Sequence, residues 1–253
     1  MTRIVVCDLD NTLLHSDKTI SEYTSNVFKK LRNEDFKVVF ATARPKRAIV
    51  NYNDAIQVDA YIVHNGACIF IADKLYFHYG IDSNITEKVL TSIASDNAKA
   101  NLAVEIDDEI YANFDTTTIW PKILAIQTDF TDLPSKSAEK MIIQVSSKAD
   151  LESFSRYLPN ILYIEMNEGN LGLVMNKHAT KLNAIKKLAE HYHCELKDVI
   201  AFGDDYNDLE MLKNCGVGVA VSNAISEVKA VADFICSSND EDGVAHWIES
   251  HLL

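Results

Sequence analysis

Short apolar runs alternate with stretches of helical periodicity from the start of the chain. Ile4-Val5-Val6-Cys7 is apolar and uncharged throughout, the pattern of a strand buried on both faces. Tyr23, Val27, Phe28 and Leu31 then recur at helical spacing behind Ser21, whose hydroxyl suits an N-cap. A second strand runs from Lys37 to Thr42, and Pro45 suits the first turn of a helix beyond it. Ala60–Val63 reads as a third strand, closed by Asn65-Gly66. The same rhythm returns late in the chain. Leu182, Ile185, Leu188, Ala189 and Tyr192 share a helical face, and Val199–Phe202 and Gly216–Val221 read as strands. A helix over Ile225–Ala232, a strand at Phe234-Ile235 and a last helix after Asp242 complete the pattern. Strands alternating with helices at this spacing predict an α/β core: a doubly wound parallel sheet with helices on its faces.

Between residues 81 and 176 the pattern changes. Leu102–Ile106 and Ile110-Tyr111 flank Asp107-Asp108-Glu109, and Leu162–Glu165 and Leu173–Met175 flank Glu168-Gly169-Asn170, both in the manner of hairpins. Helix-like stretches follow Ile85 and Lys148. This predicts an inserted α+β domain over 81–176, with the core formed by 1–80 and 177–253.

Composition narrows the function. The chain has 253 residues, 47% of them hydrophobic, enough for a packed core without staples. A formal net charge of −13 opposes binding to nucleic acid or anionic membrane, and no basic cluster with interleaved aromatics offsets it. The insert holds 7 basic and 15 acidic side chains, so it is no clamp for a polyanion either. Five scattered cysteines with no C-x-x-C pair argue for reduced thiols and a cytoplasmic home. No signal-peptide pattern or run of about 18 apolar residues is present.

In sheets of this type, sites lie beyond the carboxyl ends of the strands. The first strand runs into Asp8 and Asp10, which alternation along the strand would point to one side, with Thr12 close behind. Alone, Asp-x-Asp also describes an acceptor-rich turn. Its partners are Thr42 at the end of the second strand, Lys181 at the start of a helix, and Gly203-Asp204-Asp205-Tyr206-Asn207-Asp208 at the end of a later strand. Converging acids, a hydroxyl and a lysine suit a divalent metal, a phosphoryl group, or both.

The order and spacing of these four motifs resemble the haloacid dehalogenase superfamily of phosphotransferases. The insert between the second and third resembles the large α/β cap of its Cof-like sugar-phosphate phosphatases. The resemblance spans essentially the whole chain. It implies a Rossmann-like core, a cap domain that selects the substrate, Mg²⁺ as cofactor and a small phosphorylated metabolite as substrate. By the same resemblance Asp8 is a nucleophile that forms an aspartyl-phosphate, and Asp10 is the acid and base. Asp8, the carbonyl of Asp10 and Asp204 would hold the metal. Thr42, the backbone N–H groups of Leu9 and Ala43, Lys181 and Asn207 would bind the phosphoryl group. Asp208 would orient the metal's waters or cap the following helix, and Asp205 has the same two readings. A phosphomutase sharing the intermediate and a sugar-phosphate sensor without turnover are the alternatives.

Two positions depart from the family pattern. Ala43 and Leu182 stand where glycine is usual. Alanine is acceptable if φ there is negative, and leucine fits the apolar face of its helix. Arg44 is expected to hold its loop or contact an aspartate rather than bind phosphate. His64 is read as a turn residue, His191, His193 and Cys194 as the end of a helix, and His178 has no defined role. Asn113, Glu168 and Asn170 are polar hairpin residues that could face the core.

Overall fold

The computed structural model describes residues 3–121, 123–167 and 170–253. Among them, strands run in chain order as β1 (Arg3–Cys7), β2 (Phe36–Ala41), β3 (Ala60–Val63), β4 (Cys68–Ile71) and β5 (Lys74–His78), followed by β6 (Leu102–Ile106), β7 (Glu109–Ala112), β8 (Ile126–Gln127), β9 (Lys140–Gln144), β10 (Leu162–Asn167) and β11 (Leu171–Asn176), then β12 (Val199–Gly203), β13 (Val217–Val221) and β14 (Phe234–Cys236). The α-helices are α1 (Glu22–Asn33), α2 (Ser83–Asp96), α3 (Lys148–Phe154), α4 (Lys181–Tyr192), α5 (Leu209–Asn214), α6 (Ser226–Val231) and α7 (Gly243–Leu252). The chain divides into two compact units, Met1–His78 with Thr180–Leu253, and Tyr79–Ala179. No helix of the described residues is long and apolar enough to cross a membrane.

The first unit is built on an eight-stranded sheet in the order β14-β13-β12-β1-β2-β3-β4-β5. From β14 to β3 every neighbour is parallel. Helix α1 packs on α7, while α4, α5 and α6 pack in series, so the sheet is covered on both faces. This coverage is why the central strands read as unbroken apolar runs, and Ile4, Val5, Val6, Val38, Val39 and Phe40 are all fully buried. Helix α1 starts where expected, with Ser21 Oγ accepting the N–H of Thr24. β1 lies between β12 and β2, so the chain winds outward on one side and returns on the other. The carboxyl ends of β1, β2 and β12 therefore converge at a topological switch point.

Two features differ from the sequence expectation. The sheet ends in antiparallel β4 and β5, not in a parallel strand. Beyond Pro45 the chain forms two 3₁₀ turns, Lys46–Ala48 and Val50–Asp54, instead of a helix. Asn51, Asn53 and Asp54 are residues whose side chains compete for backbone partners, and Asn53 Oδ1 does accept the N–H of Val58.

The second unit is a six-stranded sheet in the order β10-β11-β9-β6-β7-β8. Period-2 alternation splits its side chains cleanly. Leu102, Val104, Ile106, Met141, Ile143 and Val174 share a cluster with Leu90 and Ile93 of α2 and Leu151 and Phe154 of α3. Ala103, Ile142, Leu171, Leu173 and Met175 face the other way, against Phe114, Ile119, Trp120 and Ile123. Both expected hairpins form, β6–β7 and β10–β11. Asn113 pins the first of them, accepting from Leu102 N–H and donating to Ala100 O. In the second, Asn170 stands immediately before β11 with φ 59, and Glu168 lies outside the described residues.

Candidate active site

The site is assembled at the carboxyl ends of β1, β2 and β12. Asp8 follows β1 directly, its N–H donating to Phe202 O of β12 at 3.0 Å. β1 stops at Cys7, so alternation along a strand does not govern Asp8 and Asp10 as the sequence suggested. The chain instead enters a tight helical turn, Leu9–Leu13, in which Asn11 takes φ 57. That conformation is cheap for asparagine, and the Asn11 carbonyl is held by Asn223 Nδ2 at 2.7 Å. The turn sends the two carboxylates to different partners.

Asp8 faces inward. Its Oδ1 accepts from Lys181 Nζ at 2.6 Å, and the same ammonium donates to Asp208 Oδ1 at 2.6 Å. Asp204 joins them: its Oδ1 accepts the Thr12 hydroxyl at 2.7 Å. All five side chains are buried. Carboxylate oxygens of Asp8, Asp204 and Asp208 lie within 4.8 Å of one another. Burial, with Asp208 and Asp204 close by, pushes the Asp8 carboxyl well above the usual range, against the pull of Lys181. Burial likewise raises Asp204 to about 6, and the Thr12 hydrogen bond opposes it. Burial alone would discharge Lys181, but the carboxylates of Asp208 and Asp8 override it and hold the ammonium charged.

Three buried carboxyl groups share one ammonium, too little positive charge for all three to ionise together, and this is why Asp8 and Asp204 hold their protons above the usual range. The donors are all hard oxygens. That set fits Mg²⁺ or a similar divalent cation.

Asp208 is the brace of this cluster. Its Oδ2 accepts the N–H groups of Asp204 and Asp205, at 3.0 and 3.3 Å, while Oδ1 holds Lys181. Gly203 makes room for it, since a Cβ there would lie 2.5 Å from Asp208 Cβ and Cγ. Asp205 is exposed and caps the turn, accepting the N–H of Tyr206. Lys181 opens α4 immediately after its N-cap, Thr180, whose hydroxyl oxygen accepts from Asn183 N–H.

Asp10 faces outward. Its two oxygens take Arg44 Nε and Nη2, each at 2.6 Å, and Oδ1 also accepts from Lys18 Nζ at 2.8 Å. Burial opposes ionisation here, but the hydrogen bonds from Arg44 and Lys18 win and hold the carboxyl below its usual range. Only the backbone carbonyl of Asp10 is left for the metal role expected of it. The expectation that Arg44 contacts an aspartate is met. Lys18 carried no signal in the sequence.

The remaining expected residues line the same edge. Thr42 is buried, and its Oγ1 accepts the N–H of Arg44 at 3.1 Å. Ala43 is exposed and is not among the residues of positive φ, so alanine is unstrained there. Leu9 is buried with its carbonyl bonded to Leu14 N–H. Leu182 packs into the core, as its place on the helix face suggested. Asn207 is exposed, and its Nδ2 donates to Asn65 Oδ1 at 2.9 Å. Asn65 lies in the turn that closes β3; Asn-Gly marks a turn and says nothing of the side chain's partner, so the sequence carries no signal for this contact. His193 is the left-handed C-cap of α4.

This arrangement defines a class: a carboxylate cluster held by one buried lysine at the switch point of an α/β sheet, equipped for chemistry on an anionic group. Comparison with known proteins gives the family. Residues 5–248 match the haloacid dehalogenase-like hydrolases, and the chain belongs to that family. It is 27% identical over 263 residues to 5-amino-6-(5-phospho-D-ribitylamino)uracil phosphatase YitU of Bacillus subtilis, covering 98% of this chain and 97% of that protein. Among solved structures it is similar to a haloacid dehalogenase-like hydrolase from Bacteroides thetaiotaomicron, with TM-score 0.84, 26% identity and 99% of each chain covered. A Thermotoga maritima protein shares the fold with TM-score 0.89 at 23% identity, over 100% of this chain and 98% of that one.

Proposed function

We propose that this chain is a Mg²⁺-dependent phosphoric monoester hydrolase, acting on sugar phosphates or similar small metabolites through an aspartyl-phosphate at Asp8. The observation that carries the reading is the buried Lys181 ammonium, 2.6 Å from both Asp8 and Asp208 with Asp204 beside them. A phosphate dianion repels an attacking carboxylate, so such a reaction needs concentrated positive charge around an acidic nucleophile. Asp8, Asp204 and the carbonyl of Asp10 would hold the cation, which supplies charge neutralisation at the phosphoryl group when bound.

The chain's own groups do the rest. Lys181 fixes Asp8 Oδ1, which leaves Oδ2 to attack phosphorus in line with the leaving oxygen. Thr42 accepts from Arg44 N–H and keeps its hydroxyl proton for a phosphoryl oxygen; Asn207 and the N–H groups of Leu9 and Ala43 serve the other oxygens. As the bond to the leaving oxygen breaks, Asp10 gives that oxygen a proton, a role that requires Arg44 and Lys18, which hold it ionised here, to release its carboxyl once substrate is bound. Asp10 as carboxylate, the form in which Arg44 and Lys18 hold it, then takes a proton from the water that attacks phosphorus. Phosphate leaves and Asp8 is restored. Substrate selection is assigned to the insert, residues 79–179. Five free thiols are in keeping with a cytoplasmic location. YitU is by its name a phosphatase of a phosphorylated ribitylaminouracil, and a metabolite of that kind is the substrate class proposed here.

The test is release of inorganic phosphate from p-nitrophenyl phosphate and a panel of sugar phosphates with Mg²⁺. Asp8→Asn abolishes it and Asp10→Asn severely reduces it. Full activity in either folded variant overturns the mechanism.

A further inference from the structure

The turn that joins β3 to β4 holds three consecutive residues in the left-handed region: His64 at φ 50, Asn65 at φ 56 and Gly66 at φ 104. Such a run persists only where its surroundings over-determine it. Its bonds go to the segments assigned above to the phosphoryl group. His64 N–H donates to Arg44 O at 3.1 Å and Asn65 N–H to Thr42 O at 3.0 Å. Gly66 lies against the start of α4, where a Cβ would come 2.3 Å from Thr180 O, one residue before Lys181. The fourth tie is the side-chain bond from Asn207 Nδ2 to Asn65 Oδ1 at 2.9 Å.

The geometry points to Asn65 as a positioning residue for phosphate binding, acting through Asn207. The inference rests on the assignment of Asn207 to the phosphoryl group. The Asn207 side chain is exposed, and without a partner its amide would sample several rotamers. By taking one of the two Nδ2 protons, Asn65 fixes the plane of that amide and leaves the second proton for a phosphoryl oxygen. Asparagine suits this place because it tolerates the left-handed backbone while carrying an acceptor; glycine tolerates the backbone and carries none.

The experiment is a double-mutant cycle with Asn65→Gly and Asn207→Ala in the Mg²⁺-loaded protein. Two quantities are read: the dissociation constant of inorganic phosphate by calorimetry, and KM for p-nitrophenyl phosphate. Asn65→Gly keeps the turn's backbone and is expected to weaken both by about 3- to 10-fold, the worth of one neutral hydrogen bond. In the Asn207→Ala background the same substitution is expected to change neither. Additive effects of the two substitutions, or an Asn65→Gly protein that binds phosphate as the parent does, overturn the inference while leaving the assignment of Asn207 standing. If Asn207→Ala itself leaves phosphate binding unchanged, the assignment of Asn207 fails and the inference falls with it.

Discussion

Replacing Lys181 by methionine tests the electrostatics of the site directly. The ammonium is fully buried and lies 2.6 Å from carboxylates of Asp8 and Asp208 that are themselves buried. Methionine conserves much of the volume but strands two acids, with Asp204 adjacent. Breaking a buried ion pair from one side costs about 3–5 kcal/mol. At about 2–4 °C per kcal/mol for a domain of this size, the thermal midpoint should fall by about 6–20 °C at pH 8 in the presence of chelator. The sign of the pH dependence follows. Burial already holds Asp8 and Asp204 above their unfolded values, and loss of Lys181 raises them further. The folded variant then binds more protons than the unfolded chain above the unfolded carboxylate pKa, so its stability drops as pH rises through the folded values. The deficit relative to the parent should therefore shrink on going from pH 8 to pH 5.5. Mg²⁺ at pH 8 should recover part of it by supplying the missing charge. Scanning calorimetry at both pH values, with chelator and with Mg²⁺, reads all three effects. A midpoint within about 2 °C of the parent at pH 8 in chelator would refute the reasoning.

Three further outcomes are expected. Gly203→Ala puts a Cβ 2.5 Å from Asp208, costing about 1–3 kcal/mol by overpacking and lowering phosphate release by about tenfold or more as the brace shifts; parent-like stability and turnover would contradict this. Asp8 and Asp204, both held above the usual carboxylate range by burial, must lose their protons before a cation binds, so Mg²⁺ affinity should rise from about pH 5 to about pH 7; titration calorimetry showing no change over that interval would contradict this. Arg44→Met frees Asp10 from a partly exposed pair, with a stability change under about 1 kcal/mol. With Arg44 gone the Asp10 carboxyl rises toward its usual range, so kcat for alkyl phosphates should change more than kcat for p-nitrophenyl phosphate, whose leaving group needs little protonation; equal effects on both would dissociate Arg44 from proton transfer.

The parts of this architecture that were legible in the amino-acid order are those fixed by burial. Val5, Val38 and Ile62 sit on strands with neighbours on both sides and helices on both faces, so their apolar runs stand out against any loop. The acids at strand ends were legible for the complementary reason: charge placed next to such strands has no packing role. What escaped was set by partners far along the chain. β5 is an edge strand with Lys74, Leu75 and Tyr76 exposed, so it lacks the apolar signature of an inner strand. The direction of Asp10 depends on the left-handed Asn11 and on Arg44, 34 residues away, and no local pattern encodes either. The brace formed by Asp208 was half visible, because an aspartate near a helix start has a capping use as well.

The antiparallel pairing of β4 with β3 has a consequence for how this edge of the molecule can vary. Val63 and Cys68 face each other, so the chain reverses over residues 64–67. A parallel continuation would have carried it away through a crossover of a dozen or more residues. Because successive side chains alternate between faces, one residue added to the reversal would move every position of β4 to the opposite face, and Cys68 and Ile69, both buried now, would each have to repack in the other's surroundings. Most surface connections absorb insertions freely; this one is tied to Arg44 and Thr42, just past the end of β2, by the N–H groups of His64 and Asn65, so its length is fixed from both sides.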